Sequence, residues 1–213
     1  METVDLYKYE KELYSNNIEY IGGVDEVGRG PLVGPVVAAC VVLPKDFKLE
    51  GLNDSKKLTE KKRDIFYEYI KQNALACEIG SVSPAEIDEI NIYEASKKAM
   101  KIAISKVREK ISLQHVLIDA MPIEMDIPTT SIIKGDAKSI SIAAASVIAK
   151  VTRDKMMYDL DQKYPDYGFA SHKGYPTKKH IEALNKYGII EGYRKSYGPV
   201  KEILNKGDKY ESK

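Results

Sequence analysis

Residues 36–43, Val-Val-Ala-Ala-Cys-Val-Val-Leu, form a near-continuous apolar run. A strand with one face in water alternates apolar and polar residues, so a run without that alternation implies burial on both faces. Residues 20–25 read as a strand just ahead of it, and the turn through Gly34-Pro35 leaves room for the two to pair antiparallel. Residues 74–82 read as a third strand. Short strands are expected at 115–118, ending at Asp119, and around Ile132-Ile133.

Helix signals separate these strands. Residues 4–14 are weakly helical, with Leu6, Tyr9 and Leu13 on one face. Thr59 can cap a helix that buries Ile65, Phe66, Tyr69 and Ile70. Ser83-Pro84-Ala85-Glu86 is a capping box with proline at the first helical position, and Asn91 caps a longer helix through Ala95, Ala99, Ile102 and Val107. A helix over 139–163 carries Ile140, Ala144, Val147 and Val151 on one stripe. Thr177 opens the last clear helix, with Ile181, Leu184 and Tyr187 on its apolar face and Gly188 as its stop. Three strands followed by alternating helices and strands predict an α/β fold, a mixed sheet with helices on its faces.

In such sheets function collects at strand ends. Residues 23–31, Gly-Val-Asp-Glu-Val-Gly-Arg-Gly-Pro, place two adjacent carboxylates, Asp25 and Glu26, at the end of an apolar strand and before a glycine-rich turn. Hard divalent cations prefer oxygen ligands of this kind. The amides bared by Gly28 and Gly30, with the guanidinium of Arg29, suit a phosphate or a sugar edge. Asp119 ends another apolar strand, and Asp136 lies just before the long helix. Either acid alone also suits an ordinary loop or helix start. Consecutive strand residues point to opposite faces. Asp25 and Glu26 therefore reach one metal only if the strand breaks at Val27-Gly28; otherwise one of them contributes differently.

The chain has 213 residues, enough for one main domain, and its 33 basic and 32 acidic residues leave a net charge of +1. Global charge does not announce a nucleic-acid partner, although a basic groove can coexist with acidic metal ligands. Cys40 and Cys77 sit in apolar surroundings and read as small core residues, not a disulfide framework. No signal-type segment opens the sequence, and the longest apolar run is too short and too interrupted to span a membrane. A soluble cytoplasmic protein with no membrane partner is expected, and nothing demands more than a monomer.

Five stretches together, "GVDEVGRGPLVGPVVAACVVLP", "GLNDSKKLT", "LIDA", "KGDAKSISIAAASVIAKVTRD" and "HKGYPTKKH", closely resemble the bacterial type 2 ribonucleases H, the ribonuclease HII family. They occur in that family's order over most of residues 20–200. The resemblance implies a ribonuclease H-like mixed sheet, antiparallel strands followed by parallel ones, with a small helical C-terminal part. Residues 1–19 become a helical lead-in, 20–165 the catalytic domain, 166–203 a substrate-contacting part and 204–213 a disordered tail.

The family's four active-site acids fall on Asp25, Glu26, Asp119 and Asp136. The implied activity is two-metal hydrolysis, with Mn²⁺ or Mg²⁺, of the RNA strand in an RNA–DNA hybrid. Nicking of DNA duplexes 5′ of single embedded ribonucleotides is implied as well, with 5′-phosphate and 3′-hydroxyl products. Asp25 and Asp119 are expected as shared central ligands. By the same resemblance, the turn Gly28-Arg29-Gly30 is expected to read the 2′-hydroxyl and Tyr175 to stack on the sugar beside it. Asn53, Ser55, Lys56, Lys138, Ser139 and Lys173 are expected to hold the duplex backbone. His180 reads as helix surface or a local hydrogen-bond donor.

Ala120 stands where the family usually has glycine, which removes no ligand. The related type 3 enzymes carry an additional N-terminal domain, which the short stretch before residue 20 argues against. A hybrid-binding module without chemistry is disfavoured by the presence of all four acids. An integrase-type transferase is expected to need a longer chain.

Overall fold

The structure, a computed structural model, describes residues 5–52 and 58–207. The chain runs α1 (Lys8–Ser15), β1 (Ile21–Val27), β2 (Val36–Val42), α2 (Glu60–Asn73), β3 (Ala76–Val82), α3 (Pro84–Arg108), β4 (His115–Asp119) and β5 (Thr129–Ile132). A one-turn 3-10 segment, Gly135–Ala137, leads into α4 (Ile140–Lys163), followed by α5 (Phe169–His172), α6 (Lys178–Tyr187) and α7 (Gly198–Gly207). The strands form one sheet in the order β3-β2-β1-β4-β5. β1, β2 and β3 pair antiparallel, while β4 and β5 join parallel to β1. The mixed sheet is the one the sequence predicts.

Every residue of β2 is buried, and the reason is the alternation of its side chains. Ala38, Cys40 and Val42 enter a core with α3, whereas Ala39 and Val41 enter the opposite core with α2 and α4. Cys40 and Cys77 are free thiols in these apolar layers, and burial raises the pKa of both. A third core, built on Leu32, Val33, Tyr167, Phe169, Leu184 and Tyr193, ties the C-terminal helices to the segment that follows β1.

Local chemistry sets the helix ends. Thr59, Ser83 and Thr177 each accept a hydrogen bond from the backbone N–H three residues on. Asn91 breaks α3, with φ of 67°, and its side chain caps Tyr93 and Glu94.

Three expectations need correction. In α2 only Phe66 and Ile70 are buried, because this helix rests on α4 along a narrow line; Ile65 and Tyr69 are 58 % and 40 % exposed. Helix α4 has no single apolar stripe, since residues 140–149 are all buried. β1 and β2 cover one side of it and α2 another. Helix α7 continues to Gly207, past the boundary at 204 where the sequence suggests a frayed tail, and Val200, Ile203 and Leu204 pack it onto the third core.

The start of α4 crosses β1 at very short range. A Cβ on Gly23 would lie 2.1 Å from the backbone carbon of Ser141, so only glycine lets the helix approach. This contact sits two residues before Asp25 and fixes the helix over the end of the strand.

Candidate active site

β1 and β4 are parallel neighbours with Val24 opposite Ile118, so their next residues, Asp25 and Asp119, leave the sheet side by side. Asp136 comes from the 3-10 turn between β5 and α4. One carboxylate oxygen from each of Asp25, Asp119 and Asp136 lies within 4.8 Å of the others. Gly135 N donates to Asp119 Oδ1 at 2.6 Å, which ties the turn carrying Asp136 to the end of β4. Ser146 of α4 hydrogen-bonds Asp25, and Glu26 N donates to Asp25 Oδ1 at 2.8 Å. Ala120 adopts φ of 49°, a left-handed conformation that costs a residue with a Cβ about 1 kcal/mol. This explains why glycine suits that position, and the carboxylate beside it is unaffected.

β1 stays extended through Val27, so Asp25 and Glu26 are consecutive strand residues, yet both line one cavity at the end of the strand. The carboxylates that converge are those of Asp25, Asp119 and Asp136, and Glu26 borders the same site. Glu26 lies 3.6 Å from Arg29 and lines a cavity of about 300 Å³ together with Asp25, Val27, Arg63, Ser146, Lys150 and Tyr175.

Desolvation, followed by the charges of Glu26 and Asp119, pushes the Asp25 carboxyl well above the ordinary carboxylate range. A carboxyl raised in the folded state binds more protons there than in the unfolded chain. Its contribution to stability is therefore lost as pH rises from the usual carboxylate value through the raised one. In EDTA, Asp25→Asn is expected to melt above wild type at neutral pH, with the gap closing as the pH falls into the carboxylate range. Thermal melts at a series of pH values test this; a constant gap would refute it.

The turn after β1 is held from below by two buried arginines. Gly28 has φ of 95°, and a Cβ there would meet Arg153 Nε at 2.3 Å, so the position needs glycine twice over. Arg153 donates to the carbonyls of Val33, Pro35 and Lys173, each at 3.0 Å. Arg194 donates to those of Gly28, Arg29 and Gly34 at 2.6 to 3.0 Å. Burial lowers the Arg153 pKa to about 10, which still leaves it charged at neutral pH. With these carbonyls turned inward, Arg29 and Gly30 are exposed. The Tyr175 ring lies against Gly30, 3.1 Å from where a Cβ would sit, and is 42 % exposed. The turn and the tyrosine, 145 positions apart in the sequence, thus form one surface beside the carboxylates.

Other expected contacts divide. Lys138 is exposed next to Asp136. The ammonium of Lys173 lies 3.7 Å from the centre of the Tyr158 ring and donates to Ala170 O. Ser139 needs correction as a duplex contact: it is fully buried, caps α4 through Ile142 N and donates to Glu10. Asn53, Ser55 and Lys56 lie outside the described residues. His180 is not helix surface. It is fully buried, stacks on His172 at 4.2 Å and hydrogen-bonds Tyr175 O and Tyr193 Oη, so the polar role is the one it fills.

Sequence reasoning missed Arg153, Arg194, Ser146, Lys150 and Arg63. Ser146, a small polar residue within a buried helix, carried a readable signal. Arg194 lies in a loop and carried none.

The Ribonuclease HII family model matches residues 22–197, most of the chain and every residue of this site. The chain belongs to the ribonuclease HII family. It is 56 % identical over 202 residues to Ribonuclease HII of Bacillus cereus (strain B4264), covering 95 % of this chain and 78 % of that protein. The crystal structure of ribonuclease H2 from Pyrococcus horikoshii OT3 superposes with a TM-score of 0.77 at 28 % identity, covering 89 % of this chain and 99 % of that one. Bst-RNase HIII in complex with Mn²⁺ superposes with a TM-score of 0.65 at 16 % identity, over 90 % of this chain and 71 % of that one, and shares the fold.

This ribonuclease HII is therefore a metal-dependent endoribonuclease of the ribonuclease H class, acting on RNA–DNA hybrids. Its carboxylates fit a divalent cation. Three acids converge within 4.8 Å, and burial, followed by the charges of Glu26 and Asp119, raises the Asp25 pKa, a strain that a hard cation relieves. No helix among the described residues is long and apolar enough to cross a membrane.

Proposed function

We propose that this ribonuclease HII also nicks DNA duplexes on the 5′ side of single embedded ribonucleotides, leaving 5′-phosphate and 3′-hydroxyl ends. The observation that carries this reading is the Tyr175 ring resting on Gly30 beside the three carboxylates. A continuous hybrid can be held along its length, but a lone ribonucleotide must be recognised at one sugar, by its 2′-hydroxyl. The backbone of Gly28-Arg29-Gly30 can approach such a hydroxyl closely, and Tyr175 offers a flat face for the adjoining sugar.

Asp25, Asp119 and Asp136 would hold two ions, Mn²⁺ or Mg²⁺, with Glu26 completing one site when substrate is bound. Such ions lower the pKa of the attacking water and offset charge on the departing 3′-oxygen. The chain's own groups position the strand. Arg63 and Lys150 bring positive charge to the wall of the cavity that Glu26 also lines. Lys138, Lys173, Asn53, Ser55 and Lys56 supply backbone contacts that carry no sequence information. In this reading residues 20–165 are the catalytic domain and 166–203 carry the Tyr175 surface, in a cytoplasmic monomer.

The test is a labelled DNA duplex with one ribonucleotide, run beside a continuous RNA–DNA hybrid in Mn²⁺, Mg²⁺ or EDTA. A metal-dependent nick 5′ of the ribonucleotide is expected. Tyr175→Ala should lower that nicking by about thirtyfold, the scale of one lost stacking contact. Cleavage of the continuous hybrid should fall much less. Cleavage of the hybrid with no nick in the mixed duplex would overturn the proposal.

A further inference from the structure

Helix α4 starts deep in the protein, and its first backbone N–H groups need acceptors. Ile142 N donates to Ser139 Oγ at 3.2 Å and Ala143 N to Ser139 O at 2.9 Å. The two preceding N–H groups are served from the far end of the chain. Ile140 N donates to Leu6 O at 2.8 Å, and Ser141 N donates to Glu10 Oε1 at 3.1 Å. The same Glu10 oxygen accepts from Ser139 Oγ at 2.6 Å. Glu10 is 1 % exposed, and its second oxygen has no hydrogen-bond partner among the described residues.

Burying a carboxylate with one oxygen unpaired is costly. An apolar side chain would hold α1 down more cheaply, as Tyr9 and Leu13 of the same helix do against Ile21, Leu117, Ile132 and Ile142. What only Glu10 supplies is an acceptor for both Ser139 and Ser141, favoured at the positive end of α4. Ser139 in turn closes the turn that carries Asp136, since its N–H donates to Gly135 O at 2.8 Å. Gly135 N is the group bonded to Asp119. A continuous set of hydrogen bonds therefore leads from Glu10 through Ser139 and Gly135 to the carboxylates.

We infer that Glu10 is a positioning residue, through which the N-terminal helix fixes the Gly135–Ser139 turn and so the placement of Asp136 for metal binding. The inference rests on the reading of Asp136 as a metal ligand. Outer residues that orient a ligand shift metal affinity or activity by about ten- to a hundredfold.

The test is calorimetric titration of the full chain with Mn²⁺ in the absence of nucleic acid, with kcat and KM on a continuous hybrid measured in parallel. Glu10→Ala is expected to weaken Mn²⁺ binding by about tenfold and lower kcat at limiting metal, leaving KM for the hybrid within about twofold. Ser139→Ala, which breaks the contact from the other side, should repeat the loss. Glu10→Gln keeps an acceptor oxygen for both donors and should restore binding to within about threefold. Leu13→Ala should lower the melting temperature without changing Mn²⁺ affinity. Unchanged Mn²⁺ binding in Glu10→Ala, or an equal loss in Leu13→Ala, overturns the inference alone. A wild-type chain whose Mn²⁺ binding is unaltered by Asp136→Asn overturns the ligand reading and this inference with it.

Discussion

Asp119→Asn is expected to lower kcat on a continuous RNA–DNA hybrid by about a thousandfold or more, the scale at which removing one electrostatic group disables a catalytic centre. Asp119 stands at the end of β4, between Asp25 on the neighbouring strand and the turn that carries Asp136. Its carboxylate is the member of the group through which the turn is tied down, because Oδ1 accepts from Gly135 N. Asparagine keeps that acceptor and the side-chain shape but loses the negative charge a divalent cation requires. The same change removes one of the charges that push Asp25 upward. In EDTA the variant should therefore melt at or above the wild-type temperature. Adding Mn²⁺ should raise the wild-type melting temperature and leave the variant behind, since a ligand stabilises the state that binds it. Cleavage assays and paired melts decide the matter. A variant that melts well below wild type in EDTA, or that keeps a tenth of the activity, would show that Asp119 acts mainly through the fold.

What was legible in the sequence was local or periodic. The run at 36–43 announced a strand buried on both faces, and β2 is one. The caps at Thr59, Ser83, Asn91 and Thr177 are short-range chemistry between a side chain and an N–H two or three residues on, so four residues suffice to see each. The spacing of Val200, Ile203 and Leu204 carried the signal of α7, but the polar residues that follow hid it. Asp119 and Asp136 each had an ordinary reading as a strand end or a helix start, and only the five quoted stretches taken together assigned them a role. Strand geometry alone suggests opposed faces for Asp25 and Glu26, whereas both line one cavity at the end of β1. Contacts that span the chain were not legible. Glu10 and Ser139 lie 129 positions apart, and Arg194 reaches Gly28 across 166. Nothing in the local pattern of either partner records the other. For the same reason the sequence of α4 shows only a single apolar stripe: its full enclosure depends on β1, β2 and α2 arriving from elsewhere.

Arg153 is such a long-range residue, and its replacement should have the largest effect on stability. Its guanidinium spreads three donors over the carbonyls of Val33, Pro35 and Lys173. Two of these belong to the segment after β1 and the third to the loop that presents Tyr175. One planar group thus sets how far Tyr175 stands from Gly30. Arg153→Leu would leave one buried and two part-buried carbonyls without that donor, at about 1–3 kcal/mol each before relaxation, so a total loss of about 3–5 kcal/mol is expected. Arg153→Lys retains the charge but cannot reach three carbonyls from one ammonium, and a loss of about 2 kcal/mol is expected for it. If charge alone mattered, the lysine variant would match wild type. Urea unfolding in EDTA measures both. The surviving fraction of each variant should also nick a single ribonucleotide less well relative to a continuous hybrid, because the Tyr175 loop loses its link to the 33–35 segment while Asp25, Asp119 and Asp136 keep theirs. A lysine variant with wild-type stability and wild-type substrate preference would remove Arg153 from this role and leave the loop spacing to Arg194 and the backbone bond from Leu32 N to Gly174 O.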